Sequence, residues 1–284
     1  MLSKFNYLRP KSLDEAIHYM EANPGTKLFA GGTDLMILMR RNMISVEHLL
    51  DIKDIPETQR FEFVEGLGFF IGASVTINEI SENEIIAKKY NAIKQAADSL
   101  ASYQLRNRAT LVGNICNASP GADMASPLMV YDAIVKIAGP NGEREVGFEQ
   151  FYIGFKKLDL EPGEIVLGIV LPDHDPEDSS VFLKQARVKG HDLGIAGVSV
   201  RYTKDKKVYV AMTAVAPTPV RLRALEAMLE TKPFTSETAE WLGEEIKNHI
   251  KPISDIRSSA EYRLHVSGVL ASRGMNQLIE MGGN

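Results

Sequence analysis

Residues 104–132 read QLRNRATLVGNICNASPGADMASPLMVYD, with no charge between Arg108 and Asp123 and a high density of Gly, Asn, Ser and Pro. A stretch of this composition cannot bury a core of its own. It can offer backbone N–H groups and small polar side chains to an anion. Leu111-Val112 reads as the end of a short strand, and Gly113-Asn114 as a turn at which backbone can approach a ligand closely. Asp123 and Ser126-Pro127 read as the start of a helix through Leu128, Met129, Tyr131 and Ala133. An ordered surface loop with helix caps is the plain alternative, but uncharged loops this long are uncommon and often functional.

A second stretch has a matching layout. Lys27-Leu28-Phe29-Ala30 is a short apolar run, followed by Gly31-Gly32-Thr33-Asp34 and a helical pattern through Leu35, Ile37, Leu38 and Met39. Strand, glycine pair and helix in that order aim free N–H groups at an anion. By itself a Gly-Gly turn is often only a turn. There is no G-x-G-x-x-G, and no Lys follows the glycines as in a P-loop. Amides and hydroxyls would therefore grip a phosphate that is held rather than transferred, such as a dinucleotide pyrophosphate lying between the two loops.

The AGGTDL run at 30–35 and the QLRNRATLVGNICNASPGAD run at 104–123 resemble the two FAD-binding loops of the flavoprotein (medium) subunit of molybdenum hydroxylases, the carbon monoxide dehydrogenase and xanthine dehydrogenase type. The likeness continues at EPGEIVLGIVLP, FLKQARVKGHD, VAPTPVRLRALE and PISDIRSSAEYR, from about residue 4 to the last helix. One departure is Thr110-Leu111-Val112-Gly113-Asn114, where the family usually has T-I-G-G-N; a side chain at Val112 narrows the approach to the phosphates. The resemblance implies an α+β fold: a two-part FAD-binding domain of the vanillyl-alcohol-oxidase (PCMH) type, then a three-stranded antiparallel sheet with helices. It implies that Leu28, Phe29, Ala30, Gly31, Gly32, Thr33, Asp34 and Leu35 wrap the pyrophosphate. Ala101, Ala109, Thr110, Gly113 and Asn114 would contact the cofactor from the other side. Asp123 is similar to a residue that hydrogen-bonds the ribityl chain, and Val166 would lie against the cofactor. Lys184 resembles a family lysine near the flavin, where a cation favours the anionic reduced form; a strand lysine facing solvent is the alternative. Asp192 matches a family acid on the same strand turn.

At 284 residues and 44% hydrophobic, the chain can bury a sizeable core and suits two domains. Its net charge of −5, without a basic cluster, argues against nucleic acid or an anionic membrane surface as partner. No apolar run approaches the roughly 18 residues of a spanning helix, and the N-terminus lacks a signal peptide's apolar core. A cytoplasmic protein is expected. A single cysteine, Cys116, cannot hold an iron–sulfur cluster, which takes four ligands. Any such cluster belongs to another chain, and Cys116 reads as a packed residue rather than a redox thiol.

Three capping boxes are spelled at Ser12–Glu15, Thr76–Glu79 and Ser258–Glu261. The first unit, about 1–52, reads helix, strand, glycine turn, helix, strand, with His18 and His48 structural. Phe61–Val64 and Phe69–Gly72 read as a hairpin, and Ile85–Ser102 as one helix. Strands follow at Ala133–Ala138 and Ile165–Leu171, with a short helix near Phe148–Tyr152. Residues 172–178, PDHDPED, read as a solvated linker in preference to a metal clip at His174, which divides the chain into 1–173 (subparts about 1–52 and 53–173) and 174–284. Beyond lie strands at Val181–Val188, Ile195–Tyr202 and Val208–Ala214, then helices at Val220–Glu230, Glu237–Ile250 and to about Glu280. Trp241 serves either as an interface anchor or as packing on the helix pair.

No nucleophile–base pair, metal cluster or poised carboxylate pair is visible, so bound FAD would carry the chemistry. The expected function is the electron-transfer flavoprotein subunit of a molybdenum hydroxylase complex. It would take electrons from a small [2Fe-2S] subunit, downstream of a large subunit carrying molybdopterin, and pass them to NAD(P)⁺ or another acceptor, in a dimer of heterotrimers. The alternatives are a stand-alone FAD-dependent oxidase or dehydrogenase, and a non-catalytic anion- or partner-binding module.

Overall fold

A computed structural model describes residues 2–188 and 190–282. The first unit carries a parallel three-stranded sheet in which Asn6–Leu8 and Lys27–Phe29 both pair with a central His48–Asp51. Helix Leu13–Ala22 precedes the Lys27 strand, and the Leu35–Arg40 helix follows its glycine turn. The Asn6–Leu8 strand is an addition to the expected unit. Ser12 accepts from the Glu15 N–H as expected, but the Glu15 carboxylate accepts from the Lys11 N–H, so the first box is half closed. His48 pairs with the Tyr19 hydroxyl at 2.8 Å.

A five-stranded antiparallel sheet follows, in the order Phe61–Val64, Gly68–Gly72, Ile165–Pro172, Ile134–Gly139, Gly142–Gly147. Ile165–Pro172 is central and almost wholly buried, as its unbroken apolar sequence requires. Gly142–Gly147 reads GEREVG and was not expected as a strand, because an edge strand carrying charge has a weak apolar signal. The expected 85–102 helix is two, Glu84–Lys89 and Asn91–Ser99, broken at Tyr90, whose φ/ψ of −124°/51° leaves the helical region. The Thr76–Glu79 box closes in full.

Residues 111–116 correct the reading of the central stretch. Leu111–Cys116 is a helix, and Thr110 is its N-cap, accepting from the Gly113 N–H at 2.9 Å. The Ala125–Val130 helix follows, buried over its whole length, with no side-chain cap from Asp123.

The last unit is an antiparallel sheet of Ser179–Gln185, Ala196–Tyr202 and Val208–Thr213, extended by a two-residue edge strand, Val220–Arg221. That edge displaces the start of the expected 220–230 helix to Arg223. Helices Ser236–Glu245 and Ala260–Gly282 complete it. The third capping box is not formed: Ser259 accepts from Tyr262 N–H, and Ala260 N–H goes to Ser254 Oγ. Trp241 packs on this unit's core with Lys232 Nζ 4.2 Å from the ring centroid.

The sheet's other face does not meet solvent. Phe182 and Ala211 join the first unit's core, against helices Asn91–Ser99 and Ala125–Val130. Buried polar pairs stitch this seam, among them Ser199 Oγ to Ser126 Oγ at 3.0 Å and Ser180 Oγ from Ala92 N–H at 3.1 Å. Arg201 and Arg221 reach across it, donating to the carbonyls of Val130 and Met129, the C-terminal end of the Ala125–Val130 helix. Cations suit that end of a helix, where carbonyls lack internal partners. Residues 172–178 are solvated only at Pro176 and Glu177, while His174 and Asp178 are drawn inward. The His174 side chain is 5% exposed, stacked on Tyr131 and edge-on to Tyr90, while Asp178 pairs with Arg201 at 2.6 Å. The sequence misleads here because Asp178 is paired internally with Arg201, while Asp175 and Glu177 stay at the surface with Lys204.

Candidate functional site: a cleft between two loops

The glycine turn and the Leu111–Cys116 helix face one another across a cavity of about 670 Å³. All the expected site residues line it except Phe29 and Lys184. The turn meets the segment leading into that helix at Gly31, where a Cβ would fall inside the van der Waals envelope of the Arg108 carbonyl oxygen. Only glycine permits that approach. Lys53 steadies the turn from below, donating to the Ala30 carbonyl at 3.1 Å and to Asp51 at 2.8 Å.

The two walls bind differently. Among the described residues, the backbone N–H groups of Gly31, Gly32, Thr33 and Asp34 bond to no protein acceptor. They form a row of free donors at the cavity. On the facing wall the Gly113 N–H goes to Thr110 Oγ1 and the Asn114 N–H to the Thr110 carbonyl. Asn114 Oδ1 accepts from Met124 N–H. The expected second row of amides is therefore consumed inside the helix, leaving the Asn114 amide hydrogens and the Thr110 hydroxyl as donors. Val112 is 5% exposed and lies in the core while still lining the cavity, so its side chain forms floor rather than obstruction.

Phe29 does not line the cavity because strand side chains alternate. Leu28 packs on the main core beside the cavity; Phe29 packs with Met39, Val46 and Leu49, its ring beneath Gly32. Ala101 holds a left-handed φ of 48° at the cavity edge, a conformation that costs an alanine energy and clusters at functional sites.

Lys184 neither faces solvent nor lines the cavity. Its ammonium lies 2.6 Å from Asp123 Oδ2, with the two side chains 7% and 10% exposed. Burial pushes the Asp123 carboxyl up, and the Lys184 charge opposes this. The cation is thus largely neutralised by Asp123, which itself lines the cavity. Asp192 is held by Arg187 at 2.8 Å and accepts from its own neighbour Leu193 N–H; the Arg187 guanidinium keeps it well below the usual carboxylate range. This pair shapes the turn that presents His191 and Leu193 to the cavity, neither of which sequence reasoning had singled out. Also missed were Asn117, Leu160 and Ala73; for Asn117 the NASPG run was the available signal. Cys116 lines the cavity as well, and burial pushes its thiol up to about 12, consistent with a packed, unreactive group.

The cavity falls within the roughly 300–1,000 Å³ of small-molecule sites. Free amides on one wall, a glycine contact that brings the walls together and a buried carboxylate together suit a ligand with a phosphate at one part and hydroxyls at another. Comparison with known proteins agrees. The profile of the family described as FAD binding domain in molybdopterin dehydrogenase matches residues 3–174, and that of the CO dehydrogenase flavoprotein C-terminal domain matches 181–278. The chain belongs to this flavoprotein family. It is 31% identical over 283 residues to the xanthine dehydrogenase FAD-binding subunit of Escherichia coli O157:H7, covering 98% of this chain and 97% of that one. It is 30% identical to the carbon monoxide dehydrogenase medium chain of Hydrogenophaga pseudoflava, over 96% of each. The solved carbon monoxide dehydrogenase of that organism superposes with a TM-score of 0.93 over 99% of both chains, at 30% identity. Quinoline 2-oxidoreductase from Pseudomonas putida 86 gives 0.93 at 25% identity, covering all of both chains. As a family member the chain is an oxidoreductase subunit whose cofactor is FAD.

Proposed function

We propose that this chain is the electron-transfer subunit of a three-component molybdenum hydroxylase, with FAD in the cleft between residues 30–35 and 109–123. The observation that carries the reading is the single cavity shared by two loops some 80 residues apart, with free amides on one wall and Asp123 on the other. Gly31, Gly32, Thr33 and Asp34 hold the pyrophosphate by their N–H groups. Asn114 and Thr110 donate from the opposite wall, Asp123 accepts from the ribityl hydroxyls, and Val166, Leu28 and Ala101 supply apolar contact. Leu35, Ala30, Ala109 and Gly113 shape the walls, while Phe29 supports Gly32 and Lys184 holds Asp123 in place. Bound FAD supplies reversible one- and two-electron chemistry. The chain's own task is to orient it and keep water from it.

Electrons arrive from a small [2Fe-2S] subunit that serves a large molybdenum subunit, and leave to NAD(P)⁺ or another acceptor, in a cytoplasmic dimer of heterotrimers. Relatives called a subunit or a medium chain, matched over 96–97% of their own length, favour this over a stand-alone oxidase. The family profiles, ending at 174 and resuming at 181, support a division into 1–173 and 174–284. The test is reconstitution. Purified protein with added FAD should take up one flavin per chain, tightly enough to survive gel filtration, and anaerobic NADH should bleach it if a nicotinamide is the acceptor. Protein that stays colourless overturns the assignment.

A further inference from the structure

Lys156 sits in the turn of the small hairpin made by Tyr152–Gly154 and Lys157–Leu158, at a left-handed φ of 55°. Its Nζ donates to the Asn117 carbonyl at 2.7 Å and lies 3.4 Å from Asn117 Oδ1. Asn117 in turn donates from Nδ2 to Asp34 Oδ2 at 3.2 Å. Asp34 stands at the N-cap position of the Leu35–Arg40 helix yet makes no side-chain capping bond, so its carboxylate serves Asn117 instead. A second tie runs from the same hairpin: the Tyr152 hydroxyl donates to the Ile115 carbonyl at 3.0 Å. Three separate segments are thereby joined in one line. Asn117 and Asp34 line the cavity; Lys156 does not.

We propose that Lys156, Asn117 and Asp34 form a clamp that holds the two cofactor loops together and sets the rate at which the cofactor leaves. Gly31 against Arg108 is one point of closure, made by backbone packing; the clamp is a second, made by side chains that can let go. Lys156 is a positioning residue. Its charge-assisted bond holds the Asn117 main-chain carbonyl, and its longer contact to Oδ1 leaves Nδ2 turned to Asp34 rather than to water. Because Lys156 is exposed, its bond adds little to global stability. Its effect is confined to whether the cleft stays shut. This inference rests on FAD occupying the cleft.

The experiment follows release of FAD from the loaded protein by the rise in free-flavin fluorescence on dilution. Lys156→Met should release FAD about tenfold faster, the effect of losing roughly one charge-assisted bond. Lys156→Arg should restore a rate within about twofold of the parent, since it keeps the cation. The Asn117→Ala and Lys156→Met changes should not add, because both break one chain of contacts. The unfolding midpoint of the FAD-free protein should stay within about 2 °C, as expected for an exposed side chain. Release from Lys156→Met at the parent rate overturns the clamp, as does a fall in the FAD-free midpoint that accounts for the faster release. If the parent protein takes up no FAD, the occupancy itself is overturned and the clamp with it.

Discussion

Gly31 is where the two cofactor loops meet, so it carries the sharpest substitution. In Gly31→Ala the new methyl meets the Arg108 carbonyl, a backbone atom that can yield only if the loops part. Overpacking of this kind costs about 1–3 kcal/mol. The cost falls on the closed cleft, so FAD affinity should drop by about ten- to a hundredfold, read from flavin retained after dialysis. The glycine pair was legible in the sequence because a short apolar strand precedes it and a helical pattern follows. Side-chain direction was not: Phe29 and Leu28 are neighbours in one run, and only the alternation of a placed strand sends them to different cores. The partner of Lys184 was equally hidden, since Asp123 lies 61 residues away.

At the scale of elements, the Leu111–Cys116 helix shows how local chemistry outweighs composition. Asn, Gly and a β-branched Val argue against helix, yet Thr110 caps the Gly113 amide and the core takes Leu111, Val112 and Ile115. Tertiary burial overrides propensity. The converse holds at the helix pair Ser236–Glu245 and Ala260–Gly282, where Gly243 and Gly268 bring the backbones together and a Cβ on Gly268 would enter the Gly243 carbonyl. Gly268→Ala should cost about 1–3 kcal/mol in urea unfolding, while leaving FAD content unchanged, because this crossing is remote from the cleft. Capping signals held in full at Thr76 and by half at Ser12, but not at Asp123 or at Ser258-Ser259, where either serine could serve. The missing strands, Gly142–Gly147 and Val220–Arg221, are edges whose pairing partners the sequence does not announce.

For the molecule as a whole, the seam between the two units contributes a response to acid just below neutrality. His174 is buried there among Tyr90, Tyr131, Arg201 and Asp178; its Nδ1 lies 3.0 Å from the Asp175 carbonyl, and its Nε2 has no partner among the described residues. Burial, and then the Arg201 charge, push its pKa below the ordinary value of about 6.5. The native state therefore binds fewer protons than the unfolded chain just below pH 6.5. Stability should fall there by up to about 1.4 kcal/mol per pH unit, until the lowered native value is passed. His174→Asn should flatten that slope in denaturant titrations between pH 7 and 5; an unchanged slope would assign it to other groups.

The arginines that cross the same seam impose an order in time. Arg221 caps the Met129 carbonyl from 92 positions downstream. On the ribosome, at ~5–20 residues per second, the helix beside Asp123 must wait roughly 5–20 s for its terminal partner to emerge. A nascent chain halted between the units would display an unfinished vessel, its rim lacking the arginine that closes the helix end from the second unit.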